Sequence, residues 1–104
     1  VEKKTAVNIS QTLFSSLEWA KTASVAQVQQ RVIDTINAID GLEVEYYEIV
    51  DKTTLQPTST FDNAIGCITV YCGPVRLIDN IQYWYHSRTH FYQARVNIQM
   101  LVSD

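Results

Sequence analysis

Leu42-Glu43-Val44-Glu45-Tyr46-Tyr47-Glu48-Ile49-Val50 is where the chain changes period. Apolar and charged side chains alternate at first, and β-branched and aromatic residues are enriched, which predicts a strand. The residues before it repeat at helical spacing. Those after it, as far as Ile81, break into short apolar runs separated by turns.

On the N-terminal side, Ala6, Ile9, Leu13, Leu17 and Ala20 step by three and four, which predicts a helix near 3–21. Val7 and Phe14 widen its apolar stripe, so this helix is expected to pack on two neighbours. Ser24-Val25-Ala26-Gln27 reads as a capping box, in which hydroxyl and amide satisfy each other's backbone N–H groups. It opens a second helix with Val25, Val28, Val32, Ile36 and Ile39 on one face and Gly41 as its left-handed C′ residue. A two-residue link sets the helices side by side. On the C-terminal side, Asp51-Lys52-Thr53-Thr54 is a turn and Pro57 to Asp62 a polar loop. Residues 64–72 form a second strand, Gly73-Pro74 turns the chain, and Val75 to Ile81 returns as a third. The fold class is α+β: two N-terminal helices packed on a small antiparallel sheet. The tail is undecided. Val96, Ile98, Met100 and Val102 alternate like a strand, while Phe91, Arg95, Ile98 and Val102 fit a helix face.

Composition narrows the function classes. A chain of 104 residues buries roughly two-thirds of its unfolded surface, enough for one core without metals or disulfides. Eight Lys and Arg against eleven Asp and Glu give a net charge of −3, which argues against nucleic-acid binding despite Tyr83, Trp84, Tyr85, Phe91 and Tyr92 beside Arg88 and Arg95. No apolar stretch approaches the ~20 residues that span a bilayer, and Val-Glu-Lys-Lys does not open a signal peptide. The first residue is Val and the only Met is Met100, so the chain is expected to be a piece of a longer protein. Cys67 and Cys72 are five apart, which on a strand puts them on opposite faces, so they are expected to be reduced thiols in a cytoplasmic protein. The same geometry argues against zinc, although Cys67-x4-Cys72-x13-His86-x3-His90 comes near a zinc-finger spacing.

Three segments carry a resemblance: Glu45-Tyr46-Tyr47-Glu48-Ile49-Val50-Asp51, Thr54-Leu55-Gln56-Pro57, and Arg76-Leu77-Ile78-Asp79-Asn80-Ile81. In order and spacing they resemble the C-terminal domain of the pantothenate synthetase (pantoate–β-alanine ligase) family. The resemblance covers about residues 3–83, so 1–83 is taken as a lid domain and 84–104 as a tail of its own. It implies an enzyme that activates pantoate with ATP to a pantoyl adenylate, releases pyrophosphate, and joins the acyl group to β-alanine. It also implies ATP and Mg²⁺ for the full enzyme, an N-terminal catalytic domain as partner, and a homodimer. The family's His-x-Gly-His signature and Lys-Met-Ser-Lys-Ser-like loop do not occur here, nor does a Gly-rich phosphate loop. The isolated chain is therefore expected to be inactive, with no catalytic residue, no metal ligand and no cofactor of its own.

Two residues remain as ATP-facing or interdomain candidates: Arg76 and Asn80, on one face of their strand, with Leu77 and Asp79 on the other. An Arg in a lid can meet a phosphate or pin a domain; equally, it can pair with a carboxylate such as Asp51 or Asp79 within the sheet. Asp79-Asn80 is read as a turn or strand-end device. Glu43 and Glu45 share a strand face that is expected to be solvated. A second class of function also fits the fold, a free-standing interaction module without the chemistry.

Overall fold

The computed structural model describes residues 3–83, 85–86, 91–92 and 99–102, with side-chain burial for 7–83. Helices α1 (Lys3–Trp19) and α2 (Val25–Asn37) precede strands β1 (Leu42–Asp51), β2 (Ala64–Cys72) and β3 (Val75–Tyr83). Two short strands come next, β4 (Tyr85–His86) and β5 (Phe91–Tyr92), then β6 (Gln99–Val102). The main sheet has the order β1-β2-β3-β6, antiparallel throughout, and β4 pairs with β5. The α+β expectation holds. The strand reading of the tail holds for Met100 and Val102, and Phe91 is in β5 rather than a helix. Arg95, Val96 and Ile98 lie outside the described residues.

The helices form where the stripes predict. Ile9, Leu13 and Leu17 of α1 and Val25, Val28, Val32 and Ile36 of α2 are buried in one core with Ile49, Ile68, Val70, Leu77 and Ile81 of the sheet. Burying a side chain of this kind is worth about 1.5–3 kcal/mol. Ser24 accepts from the Gln27 N–H at 3.2 Å and Gln27 Oε1 from the Ser24 N–H at 2.9 Å, so the capping box is real. Three local expectations are corrected. α1 ends at Trp19, so the link is five residues, 20–24. α2 caps at Ala38 in a right-handed conformation; Gly41, at φ 88°, serves the turn that leads into β1 instead. Val7 and Phe14 remain half exposed, at 49% and 47%, so among the described residues α1 buries only one face.

The alternation of β1 is broken once. Val44 pairs with Val70 and Tyr46 with Thr69, leaving Glu45 as an extra residue in a β-bulge. Before it Leu42 and Val44 face the helices; after it Tyr47 and Ile49 do. As the edge strand, β1 is guarded by α2 side chains: Asn37 Oδ1 accepts from the Val44 N–H and Gln29 Oε1 from the Ile49 N–H, both at 2.8 Å.

Candidate functional site

The face of the sheet turned away from the helices is built in cross-strand rows. Glu43, Tyr71 and Arg76 form one, Tyr46, Thr69 and Ile78 the next, Glu48, Cys67 and Asn80 the third. Arg76 and Asn80 share this face as the spacing requires, and strand rise sets them about 13 Å apart. They belong to separate groups.

Arg76 is held by the bulge. Glu45 Oε2 accepts from its Nε at 3.2 Å and its Nη2 at 3.0 Å, and Glu45 Oε1 accepts from the Tyr71 hydroxyl at 3.3 Å. The guanidinium also lies 6.0 Å from the centre of the Tyr71 ring. Both charged side chains keep 36% exposure. The in-sheet pairing of Arg76 thus exists, but its partner is Glu45, neither Asp51 nor Asp79. The reason is geometric. Asp79 points to the opposite, helix-facing side and is 1% exposed, and Asp51 lies at the far end of β1. Glu43 and Glu45 both lie on the outer face and are exposed, as expected, although Glu45 is engaged by Arg76 and Tyr71.

Asp79 and Asn80 sit in the middle of β3, not at a turn or strand end. Asp79 Oδ1 accepts from the Asn80 N–H at 2.7 Å, a local backbone bond of the kind expected. Cys67 and Cys72 are unbridged and on opposite faces, Cys72 against the core and Cys67 in the Asn80 row. Burial, then the nearby Glu48 carboxylate, pushes the Cys67 thiol above its ordinary value, which works against a reactive thiolate. His86 is in β4, and His90 lies outside the described residues. Among the described residues no three His, Cys, Asp or Glu side chains converge on a common point. No described helix is long and apolar enough to cross a membrane.

Two arrangements escaped the sequence reading. One is the Glu45–Arg76 tie, whose only signal is the lapse of alternation at Tyr46-Tyr47. The other lies on the helix side, where Tyr47, Tyr83 and Ser16 join hydroxyl to hydroxyl, Ser16 to Tyr83 at 2.7 Å. Phe61 packs on Tyr83 with ring centres 4.9 Å apart. Burial pushes both tyrosines above their ordinary pKa, Tyr47 strongly. No spacing in the sequence announces a contact between residues 16, 47 and 83. Below the hydroxyls, Gly66 leaves room for the Tyr47 ring; a Cβ there would stand 2.7 Å and 2.9 Å from two of its carbons.

The loop after β1 is bonded around Asp51. Asp51 Oδ1 accepts from the Thr53 and Thr54 N–H groups at 2.8 and 3.0 Å and from Asn63 Nδ2 at 3.3 Å. Those bonds, Thr54 first, hold the exposed carboxyl below its ordinary pKa.

The family described as Pantoate-beta-alanine ligase matches residues 1–82. Pantothenate synthetase from Phocaeicola vulgatus is 57% identical over 86 residues, 80% of this chain and 30% of that protein. The Bacteroides thetaiotaomicron pantothenate synthetase is 49% identical over 85 residues, 79% of this chain and 30% of that protein. The one from Akkermansia muciniphila is 35% identical over 83 residues, 78% of this chain and 30% of that protein. The chain therefore spans about a third of the length of these relatives, and it belongs to the pantoate–beta-alanine ligase family.

Proposed function

We propose that this chain, through residues 1–83, is the lid of a cytoplasmic, homodimeric pantothenate synthetase and closes over a nucleotide held by the remainder of that protein. The observation that carries this is the family match over residues 1–82, joined to a coverage of only 30% of each relative. In the reaction a pantoate carboxylate oxygen attacks the α-phosphorus of ATP and pyrophosphate leaves. The β-alanine amine then attacks the acyl carbon, loses a proton, and AMP departs as the amide forms. Such a sequence needs a site from which water is excluded, and supplying that cover is the lid's contribution. Arg76 and Asn80 are the residues proposed to face the nucleotide or the neighbouring domain, with Arg76 already oriented by Glu45. The described residues offer no converging set of ligands for Mg²⁺, so no step is assigned to the ion here.

The test is pantoate-dependent exchange of pyrophosphate into ATP, run on the full natural reading frame and on the 104-residue chain. Exchange by the former and none by the latter supports the lid. A folded full-length protein without exchange rejects the activity and leaves the interaction-module reading. Micromolar ATP affinity of the 104-residue chain alone, measured by calorimetry, also contradicts it.

A further inference from the structure

Leu55 is the most exposed large apolar side chain of those described, at 68%. It is also the one non-glycine residue among them with a positive φ, at 60°. Leucine gains nothing from a left-handed backbone, and turns that need one ordinarily use Gly or Asn. The loop around it is nonetheless closed by hydrogen bonds on both sides. The Leu55 N–H donates to the Asp51 carbonyl at 2.8 Å, and the Asp51 N–H to the Gln56 carbonyl at 2.8 Å. Gln56 N–H donates to Thr54 Oγ1 at 3.2 Å, Asn63 Nδ2 to Thr53 Oγ1 at 2.9 Å, and Pro57 bridges back to Val50. An exposed leucine on a floppy loop needs no explanation. One held in place from both sides, in a disfavoured conformation, is preorganised for burial against something else.

We infer that Leu55 is a docking knob that inserts into an apolar recess of the remaining part of the same family polypeptide. The inference rests on the lid reading above. The occupant is set by length: about 70% of each relative lies outside the match, far more surface than this chain carries. The knob fixes where the lid seats, as a point contact on a bonded loop.

The test places Leu55→Cys in the 104-residue chain and in the full-length protein, with maleimide modification at position 55 read by peptide mass spectrometry. That readout separates it from Cys67 and Cys72. Modification in the short chain is expected at the rate of the denatured control, and about tenfold slower in the full-length protein. Equal rates in both overturn the inference. Slow modification in the short chain overturns it too: the chain's own residues cover the knob if the rate ignores protein concentration, and a second copy does if it depends on it. Leu55→Asn, which suits the left-handed backbone, is expected to keep the melting temperature of the short chain while hydrogen exchange of residues 51–57 speeds up in the full-length protein. Unchanged exchange there overturns the inference. Protection at position 55 without pyrophosphate exchange by the wild type would keep the knob and reject the ligase reading.

Discussion

Glu45 and Arg76 are bonded across the width of β2, the carboxylate of a bulge residue on β1 gripping the guanidinium of β3 at 3.0 and 3.2 Å. The pair is one-third exposed, which limits its value. Its reach is what matters: it ties three strands at the position where one of them is irregular.

Glu45→Gln is expected to destabilise the chain by about 0.5–1 kcal/mol, because the charge is lost while one hydrogen-bonding oxygen remains. A domain of this size would melt about 2–8 °C lower. In a thermal series with Arg76→Met and the double variant, the coupling between the two sites should account for most of the Glu45→Gln effect. Additive losses would show that the bond contributes nothing.

Gly66→Ala puts a methyl group against the ring of Tyr47, which is buried and cannot swing away. Overpacking of this kind costs about 1–3 kcal/mol. Urea denaturation should show the loss, and Tyr47→Phe in the same chain should recover part of it by removing the nearest atom. A Gly66→Ala chain as stable as wild type would mean that the strand opens easily.

Ser24→Ala should cost about 1 kcal/mol, since it leaves the Gln27 N–H without its side-chain acceptor at the start of α2. Ser24→Gly should cost only a few tenths. Urea midpoints of the two variants check the difference.

The pH dependence has two ends. Tyr47 and Tyr83 have folded pKa values above the unfolded value of about 10, so the folded chain holds their protons longer. Their contribution is complete below that value and is lost as pH rises through the folded pKa. Alkaline unfolding should coincide with tyrosinate absorbance, and Tyr47→Phe should flatten the slope of stability against pH. Asp51 works in the other direction. Its carboxyl is depressed, so what it contributes is present above the unfolded value of about 3.9 and is lost as pH falls through its folded pKa. The amide signals of Thr53 and Thr54 should move with that titration in NMR spectra.

The helices and the three long strands were legible because each rests on a local signal: the stripe of Ile9, Leu13 and Leu17, the Ser24 box, and the turn at Gly73-Pro74, whereas the ends of α1 and α2 were not. The bulge was not, because a single extra residue leaves composition unchanged and only reverses the phase of the strand beyond it. Arg76 was matched with Asp51 or Asp79 rather than Glu45 because the register that carries Glu45 over to β3 is not written in any local spacing. Of the candidate site, the shared face of Arg76 and Asn80 comes from strand period alone. The partner that holds Arg76, Glu45, is 31 positions away in the chain, which no spacing rule reaches.

The buried hydroxyls have a direction. Ser16 spends its proton on the Leu13 carbonyl. It must therefore receive one from Tyr83, and Tyr83 in turn from Tyr47. With Ser16 bonded in that way the row of protons runs one way, from strand β1 to helix α1, and reversing it would take the Ser16 proton away from the Leu13 carbonyl. Its two ends are unequal. Removing the hydroxyl of Tyr47 takes away a giver at the head of the queue, whereas removing that of Tyr83 takes the middle partner from both Tyr47 and Ser16.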